Sequence, residues 1–144
     1  MSIPRGSIDR RLVLACLAAT VAAALGLGVA RELAAPDLKV RLIVDFGDGA
    51  QKVYSALAWK KGMTVLDAMD AAKAHPHGIT FAHTGKGETA FLTSIDDVKN
   101  AGGGAGSRNW QYWVNTTLGD RSFGVYPVDP SDVVCWKFTT REMP

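Results

Sequence analysis

The sequence predicts an α+β fold, in which a mixed β-sheet packs against one helix, preceded by an apolar N-terminal helix. Two observations support this prediction. Segments that alternate apolar and polar residues, as half-buried strands do, lie on both sides of one amphipathic segment with helical spacing. Because a lone amphipathic helix can cover only one face of a sheet, we expect the strands before and after it to share that face.

Residues 1–31 predict a signal anchor or a signal peptide. The 19 residues from Leu12 to Ala30 carry no charge, and their length is close to the roughly 20 residues that span a bilayer. The sequence Gly28-Val29-Ala30 would equally serve as a cleavage site of a secretory signal. Both alternatives stay open at this point.

The charges that flank the apolar segment predict its orientation. Arg10 and Arg11 precede it, and positive residues stay in the cytoplasm. We therefore expect a single-pass cell-membrane protein, held through residues 12–30, with the C-terminal domain outside the cytoplasm. After cleavage, the same domain would be secreted or periplasmic. Residues 32–37 are interpreted as a linker, and residues 38–140 as the exported domain.

The exported part of the chain is electrically neutral overall. Three of the 16 basic residues and one of the 14 acidic residues lie within residues 1–30, which leaves 13 of each sign in the remainder. No basic run occurs there. A nucleic-acid partner would need a concentrated basic patch, so this class of partner is not expected.

The exported domain begins with a predicted β-hairpin. Residues 38–46 alternate apolar and polar side chains, Gly47-Asp48-Gly49 predicts a turn, and residues 51–59 predict the second strand. The clearest helix follows the hairpin. Thr64 is a good N-cap, with Asp67 three residues later as in a capping box.

Further strands are predicted after the helix. Residues 79–82 and 90–95 form two of them, joined by a glycine-rich turn, and residues 109–115 and 133–138 form the last two. A mixed sheet that grips a single helix in this order is a β-grasp arrangement. The expected core on the helix side consists of Leu38, Val40, Leu42, Val44, Phe46, Trp110, Tyr112, Val114, Val134, Trp136 and Phe138. The helix adds Val65, Leu66, Met69 and Ala72.

The strand NWQYWVN raises a question about its second face. Alternation places Gln111, Trp113 and Asn115 opposite Trp110 and Tyr112, together with Arg41, Ile43, Cys135 and Lys137 of other strands. Trp113 is either covered by a loop, at 101–108 or 116–124, or it is an exposed aromatic platform. The platform would suit a flat ligand or a partner protein.

Four motifs resemble a known family. GMTVLDAM, FLTSIDDVKN, WQYWVN and DVVCWKF, in this order and spacing, resemble the transcobalamin-like C-terminal domain. This domain occurs in the vitamin B12 carriers and in many short bacterial surface proteins, and the likeness covers about residues 38–140. It implies a β-grasp fold that caps a ligand held mainly by a larger helical domain, with cobalamin as a candidate cofactor.

The resemblance also implies which residues lie near the ligand. Ser94, Ile95 and Asp96 match the serine-isoleucine turn of the family, and Trp110 and Gln111 match its tryptophan-glutamine strand start. The sequence departs from the family at three turns, where it carries Asp97, Asn115-Thr116 and Ser131-Asp132. These departures affect turn geometry more than the fold.

Catalysis and metal binding lack support in the sequence. Ser94 has no G-x-S-x-G elbow, and Cys135 lies inside a regular strand, where a thiol is inert. His75, His77 and His83 lack the acidic or thiol partners of a metal site, so no metal is expected.

The sequence therefore predicts a non-catalytic binding module rather than an enzyme. Its ligand would be a small planar molecule such as a corrinoid. The alternative is a protein–protein interaction or adaptor module outside the cytoplasm. The predicted ligand-binding residues are Ser94, Ile95, Asp96, Trp110, Gln111, Trp113 and Asn115.

Overall fold

The computed structural model describes residues 36–140, which contain two β-sheets and one α-helix. The elements in chain order are β1 (Lys39–Asp45), β2 (Gln51–Ala58), α1 (Val65–Lys73), β3 (Phe81–Thr84), a 3-10 helix (Gly87–Thr89), β4 (Phe91–Ile95), β5 (Val98–Lys99), β6 (Arg108–Val114), β7 (Thr117–Leu118) and β8 (Val133–Thr140). The predicted mixed α+β fold with one helix is confirmed for these residues. The predicted anchor or signal at 1–31 lies outside them. Within the described range, no helix has the length and apolar character needed to cross a membrane.

The larger sheet has five strands in the order β2-β1-β8-β6-β7. Strands β1 and β8 pair in parallel at its centre, and the other neighbouring strands pair antiparallel. The first and last strands of the domain therefore lie side by side, and their parallel pairing makes the sheet mixed. The turn at 47–49 closes the hairpin as predicted, with Gly47 and Gly49 at positive φ.

The smaller sheet joins β3, β4 and β5 in antiparallel order. The sequence predicted two of these strands but not that they form a sheet of their own. Strand β3 also begins two residues later than expected. The backbone N–H of Thr80 donates to the Asp96 carboxylate at 2.8 Å instead of entering the ladder, while Ile79 is buried in the core.

The core lies between the larger sheet and α1, where the alternating residues were expected to point. Val40, Leu42, Val44, Trp110, Tyr112, Val114, Val134 and Trp136 are all buried. The prediction is wrong for Leu38, which is 41% exposed because it precedes β1. Phe46 and Phe138 lie at strand ends and are partly buried, each packed against Trp110.

Helix α1 begins at the predicted capping box. The Thr64 backbone N–H donates to the Asp67 carboxylate at 2.8 Å, and Thr64 Oγ1 accepts from the Asp67 backbone N–H at 3.3 Å. Val65, Ala68, Met69 and Ala72 are fully buried, and Leu66 is partly buried. The cap satisfies two N–H groups that a helix start otherwise leaves free.

We name residues 119–132, which connect β7 to β8, the bridging segment. Its backbone carbonyls at Phe123 and Tyr126 accept from the first helical N–H groups, Leu66 and Val65, at 3.0 Å each. Phe123 itself is 2% exposed. The bridging segment therefore attaches the start of α1 to the two strands that it connects.

We expect Thr64→Ala to destabilise the domain by about 1 kcal/mol, because the first turn of α1 loses its side-chain acceptor. Urea unfolding of the full chain measures the effect. Thr64→Ser keeps the hydroxyl group and is the matched control, which should retain most of the stability. Equal stability of Thr64→Ala and the unmodified chain would show that the cap is dispensable.

Candidate functional site

A cleft of about 520 Å³ opens between the two sheets, and we name it the aromatic cleft. One wall is the 3-10 helix with the start of β4. The other wall is β6, β7 and the start of the bridging segment. The lining residues are Glu88, Thr89, Ala90, Phe91, Leu92, Trp110, Gln111, Tyr112, Leu118, Gly119, Asp120, Arg121, Ser122, Phe123 and Trp136.

Two exposed apolar side chains, one on each wall, line the cleft. Phe91 at the start of β4 is 62% exposed, and Leu118 of β7 is 46% exposed. Single exposed apolar residues are ordinary on a protein surface. Phe91 is the more exposed of the two and offers an apolar contact surface at the β4 wall.

The deeper lining consists of buried aromatic rings. Trp110, Tyr112 and Trp136 are 6%, 7% and 2% exposed. The Tyr112 and Trp136 rings lie 5.0 Å apart and tilted, and Phe123 meets Trp136 edge to face at 5.4 Å. These offset and edge-to-face contacts are the favourable geometries for aromatic pairs, so the rings hold one another in place.

Hydrogen bonds fix two of these rings further. Trp110 Nε1 donates to the Val98 carbonyl at 2.8 Å, and the Tyr112 hydroxyl donates to the Arg121 carbonyl at 2.6 Å. Trp136 Nε1 differs, because it is buried without a hydrogen-bond partner among residues 36–140.

Gly119 lets the bridging segment approach the cleft closely. A Cβ atom at this position would collide with the Tyr112 ring. Its φ is not in the left-handed region, so the glycine is required by space rather than by backbone conformation. The Gly119 N–H donates to the Tyr112 carbonyl at 2.8 Å, which holds the segment against β6.

The charged residues of the cleft lie near its outer edge. Asp120 and Arg121 form an exposed ion pair at 2.9 Å, and Glu88 lies on the opposite wall. Inside the cleft, burial raises the pKa of Tyr112 to about 12, with Tyr126 and Asp120 adding to the shift. The phenol is therefore neutral at physiological pH.

Two of the seven predicted ligand-binding residues, Trp110 and Gln111, line the aromatic cleft. Gln111 also donates through Nε2 to the Thr140 carbonyl at 3.3 Å. The structure does not bring the other five to this cleft.

Ser94, Ile95 and Asp96 lie at the other end of β4, in and before its turn to β5. Ile95 is fully buried, and Asp96 has a left-handed φ of 44°. Burial would raise the pKa of Asp96, but Lys52, whose Nζ lies 2.8 Å from the carboxylate, and Thr80 hold it below its usual value. Asp96 is thus a charged anchor of the turn.

Asn115 and Trp113 have different surroundings again. Asn115, at a left-handed φ of 57°, accepts from the Val133 N–H at 3.0 Å and donates to Asp132 at 2.9 Å, which ties the β6–β7 turn to the start of β8. Trp113 lies on the opposite face of β6 from Trp110 and is half-buried, with Cys135 and Leu118 beside it in register.

Sequence reasoning missed most of the cleft. Tyr112 and Trp136 were expected only as core, and Phe91 and Leu118 were not singled out. A signal existed for Phe91, since strand alternation in FLTSI places it opposite the buried Leu92. The bridging segment carries no periodic pattern that would place Phe123 there.

Other candidate groups remain apart. The His75 and His77 ring centroids are 6.3 Å apart, while His83 packs against Phe81 and Phe123. Residues 36–140 contain no group of three or more His, Cys, Asp or Glu that could hold a metal ion. Burial raises the pKa of the Cys135 thiol, which disfavours the reactive thiolate.

A second concavity, of about 400 Å³, lies beside the start of α1. Lys60, Lys61, Asp67 and Asp70 contribute to its lining. Four of its eight lining residues are charged and none is aromatic, whereas small-ligand sites are usually lined by hydrophobic and aromatic side chains. The aromatic cleft is therefore the stronger candidate site.

Comparisons with known proteins find a family and a fold. A family model described as "Domain of unknown function (DUF4430)" matches residues 62–140, which include every wall of the aromatic cleft. Eight chains of solved structure match. One is a "putative metal binding protein" from Ruminococcus gnavus ATCC 29149, with a TM-score of 0.52 and 12% identity over 72% of this chain and 99% of that chain. At this identity, the likeness shows the fold alone. The comparison with curated proteins finds no match.

Alkaline pH should destabilise the domain through Tyr112. Its folded pKa of about 12 exceeds the unfolded value of about 10. The stabilising contribution is therefore complete below about pH 10 and is lost as the pH rises towards 12. Thermal melts of the full chain between pH 9 and 12 measure this loss. Tyr112→Phe should show a shallower alkaline decline, and an unchanged slope would contradict the assignment.

Proposed function

We propose that this chain, which belongs to the family described as a domain of unknown function (DUF4430), is a non-catalytic binding module. Its ligand would occupy the aromatic cleft. The observation that carries this proposal is the cleft itself, whose volume of about 520 Å³ falls within the range of roughly 300–1,000 Å³ typical of small-molecule sites.

The chemistry of the lining favours a flat, largely apolar ligand. The lining combines the edges of fixed aromatic rings with the exposed Phe91 side chain, and such rings favour offset or edge-on packing of a further ring. Phe91 can contact a bound ligand from the β4 wall, because its side chain is well exposed. The neutral Tyr112 phenol adds no charge inside the cleft.

A corrinoid is the more specific candidate within this class. The support is the resemblance of four sequence motifs to the transcobalamin-like C-terminal domain. The parallel pair β1 and β8 at the centre of a mixed sheet with one helix also fits the β-grasp interpretation. A corrinoid is too large for the cleft to enclose, so the cleft would cover one part of it.

The proposed location is outside the cytoplasm, either at the membrane or after secretion. The uncharged run at residues 12–30 supports this proposal. Burial raises the pKa of the Cys135 thiol, which disfavours this thiol as a nucleophile. The R. gnavus protein is described as a "putative metal binding protein". Metal binding is not part of the proposal for this chain, because residues 36–140 contain no group of three or more His, Cys, Asp or Glu that could hold a metal ion.

A second candidate function is protein interaction through the face of the larger sheet that carries Trp113. Register places five side chains in one row across this face, in the order Val53, Ile43, Cys135, Trp113 and Leu118. Val53 and Leu118 are 44% and 46% exposed, and the middle three are half-buried. A partner protein could cover such a flat apolar row.

Titration of the full chain with cyanocobalamin by isothermal calorimetry tests the corrinoid version. We expect saturable binding that Phe91→Ala weakens by about 2 kcal/mol, the usual scale of an anchoring residue. Phe91 is well exposed, so this change should leave the fold intact.

Val53→Ala is the matched control, because Val53 is an exposed apolar residue far along the sheet from β7. It should leave cyanocobalamin binding unchanged. Weakening by Val53→Ala but not by Phe91→Ala would move the site to the Trp113 face. An absence of heat at millimolar ligand would remove the corrinoid version.

A further inference from the structure

The aromatic cleft meets the backbone of both walls at a strand edge. Its lining includes three consecutive residues on each side, 90–92 at the start of β4 and 110–112 of β6. Successive side chains of a strand point to opposite faces of the sheet. A concavity that touches three residues in a row therefore lies against the edge of the strand, where the backbone polar groups are, and not against one face.

Two hydrogen bonds show which backbone groups of β6 point to this edge. The Trp110 N–H donates to Asn100 Oδ1 at 2.8 Å, and the Tyr112 carbonyl accepts from the Gly119 N–H at 2.8 Å. Strand β6 pairs antiparallel with β8, and in such a ladder both polar groups of one residue point to the same side. The Trp110 carbonyl and the Tyr112 N–H therefore point to this edge as well, between the two bonds.

The fold leaves these two groups without a strand to pair with. Strand β7 pairs with β6 at Trp113 and Val114, and β8 lies on the opposite side of β6. Within residues 36–140, no hydrogen bond reaches the Trp110 carbonyl or the Tyr112 N–H. Backbone groups in a folded domain are nearly always paired with protein, water or a ligand, so one acceptor and one donor remain for a partner from the cleft.

The Asn100 side chain shows that the edges of β4 and β6 are too far apart to pair directly. Its Nδ2 donates to the Leu92 carbonyl at 2.7 Å, while its Oδ1 accepts from the Trp110 N–H. One planar amide thus fits between the two strands and bonds to both. We name the space beside it, between residues 90–92 and 110–112, the edge gap.

The edge gap is short, which favours a compact ligand over an extended peptide. Asn100 occupies one end. At the other end, Gly119 bonds to Tyr112, and the Ser122 hydroxyl donates to the Ala90 carbonyl at 2.8 Å. A peptide of several residues in line with β6 would collide with these groups, whereas a planar molecule the width of an amide or a single ring system would not.

We infer that the ligand of the aromatic cleft is a flat heteroaromatic molecule with a hydrogen-bond donor beside an acceptor on one edge, as in a lactam. The donor pairs with the Trp110 carbonyl, and the acceptor pairs with the Tyr112 N–H. The remaining apolar ring lies within reach of Phe91, which is 62% exposed. This inference rests on the proposed small-molecule function and deepens it by naming the class of ligand.

The lactam 2-quinolone and the lactone coumarin make a matched pair of probes. Both are flat bicyclic molecules with one ring carbonyl, and they differ because an oxygen in coumarin replaces the N–H of 2-quinolone. We expect 2-quinolone to bind the full chain about tenfold more tightly in calorimetric titrations, since coumarin loses one hydrogen bond and leaves the Trp110 carbonyl unpaired.

Nuclear magnetic resonance of ¹⁵N-labelled protein locates the contact. With 2-quinolone, the backbone N–H resonance of Tyr112 should move downfield, because this group gains an acceptor. The Gln111 N–H points to β8 and should stay in place. Phe91→Ala should weaken both probes by a similar factor and preserve their ratio, because the lost ring contact involves neither the donor nor the acceptor.

Equal affinity of the two probes, an unmoved Tyr112 resonance, or a ratio that disappears in Phe91→Ala would overturn this inference. If neither probe binds at millimolar concentration while cyanocobalamin does, the inference fails and the proposed function stands. If none of the three molecules binds, the proposed small-molecule function fails as well.

Discussion

The aromatic cleft depends on one connection, the anchoring of the bridging segment to the 3-10 helix by Ser122. The Ser122 hydroxyl shares its proton between the Gly87 and Ala90 carbonyls, and Ser122 Oγ accepts from the Gly124 N–H at 3.1 Å. Gly124 reinforces the contact, since a Cβ atom there would press within 2.6 Å of the Gly87 carbonyl. The wall formed by the small sheet is thereby held opposite the wall formed by the large one.

This anchoring explains how two sheets can share one domain without closing on each other. The larger sheet buries its inner face mainly against α1, whose first N–H groups bond to the same bridging segment. The smaller sheet adds Ala90, Leu92 and Ile95 to the same core. Among the residues that line the remaining gap are Trp110, Tyr112 and Trp136.

The parts of the fold that local pattern controls could be predicted from the sequence. Strands β1, β6 and β8 follow from alternation, and Thr64 with Asp67 predicts the start of α1 because the capping box acts within three residues. The cleft could not be predicted, since Ser122 contacts Gly87 across 35 residues and no period marks either segment. The family resemblance pointed to Ser94 and Asp96. In the structure, the Asp96 carboxylate accepts from the Thr80 N–H and pairs with Lys52. Trp113 proves half-buried, between the two alternatives that alternation left open.

Amide hydrogen exchange of Ser122→Ala tests whether the Ser122 anchor holds the cleft walls together. We expect about tenfold faster exchange at Thr89 and Ala90, the N–H groups of the 3-10 turn, as one lost hydrogen bond allows. The amides of β1 should keep their rates in this variant. In the control variant Ser94→Ala, the amides of both regions should keep their rates. Unchanged exchange at Thr89 and Ala90 in Ser122→Ala, or equal acceleration throughout the domain, would show that Ser122 does not hold the walls together.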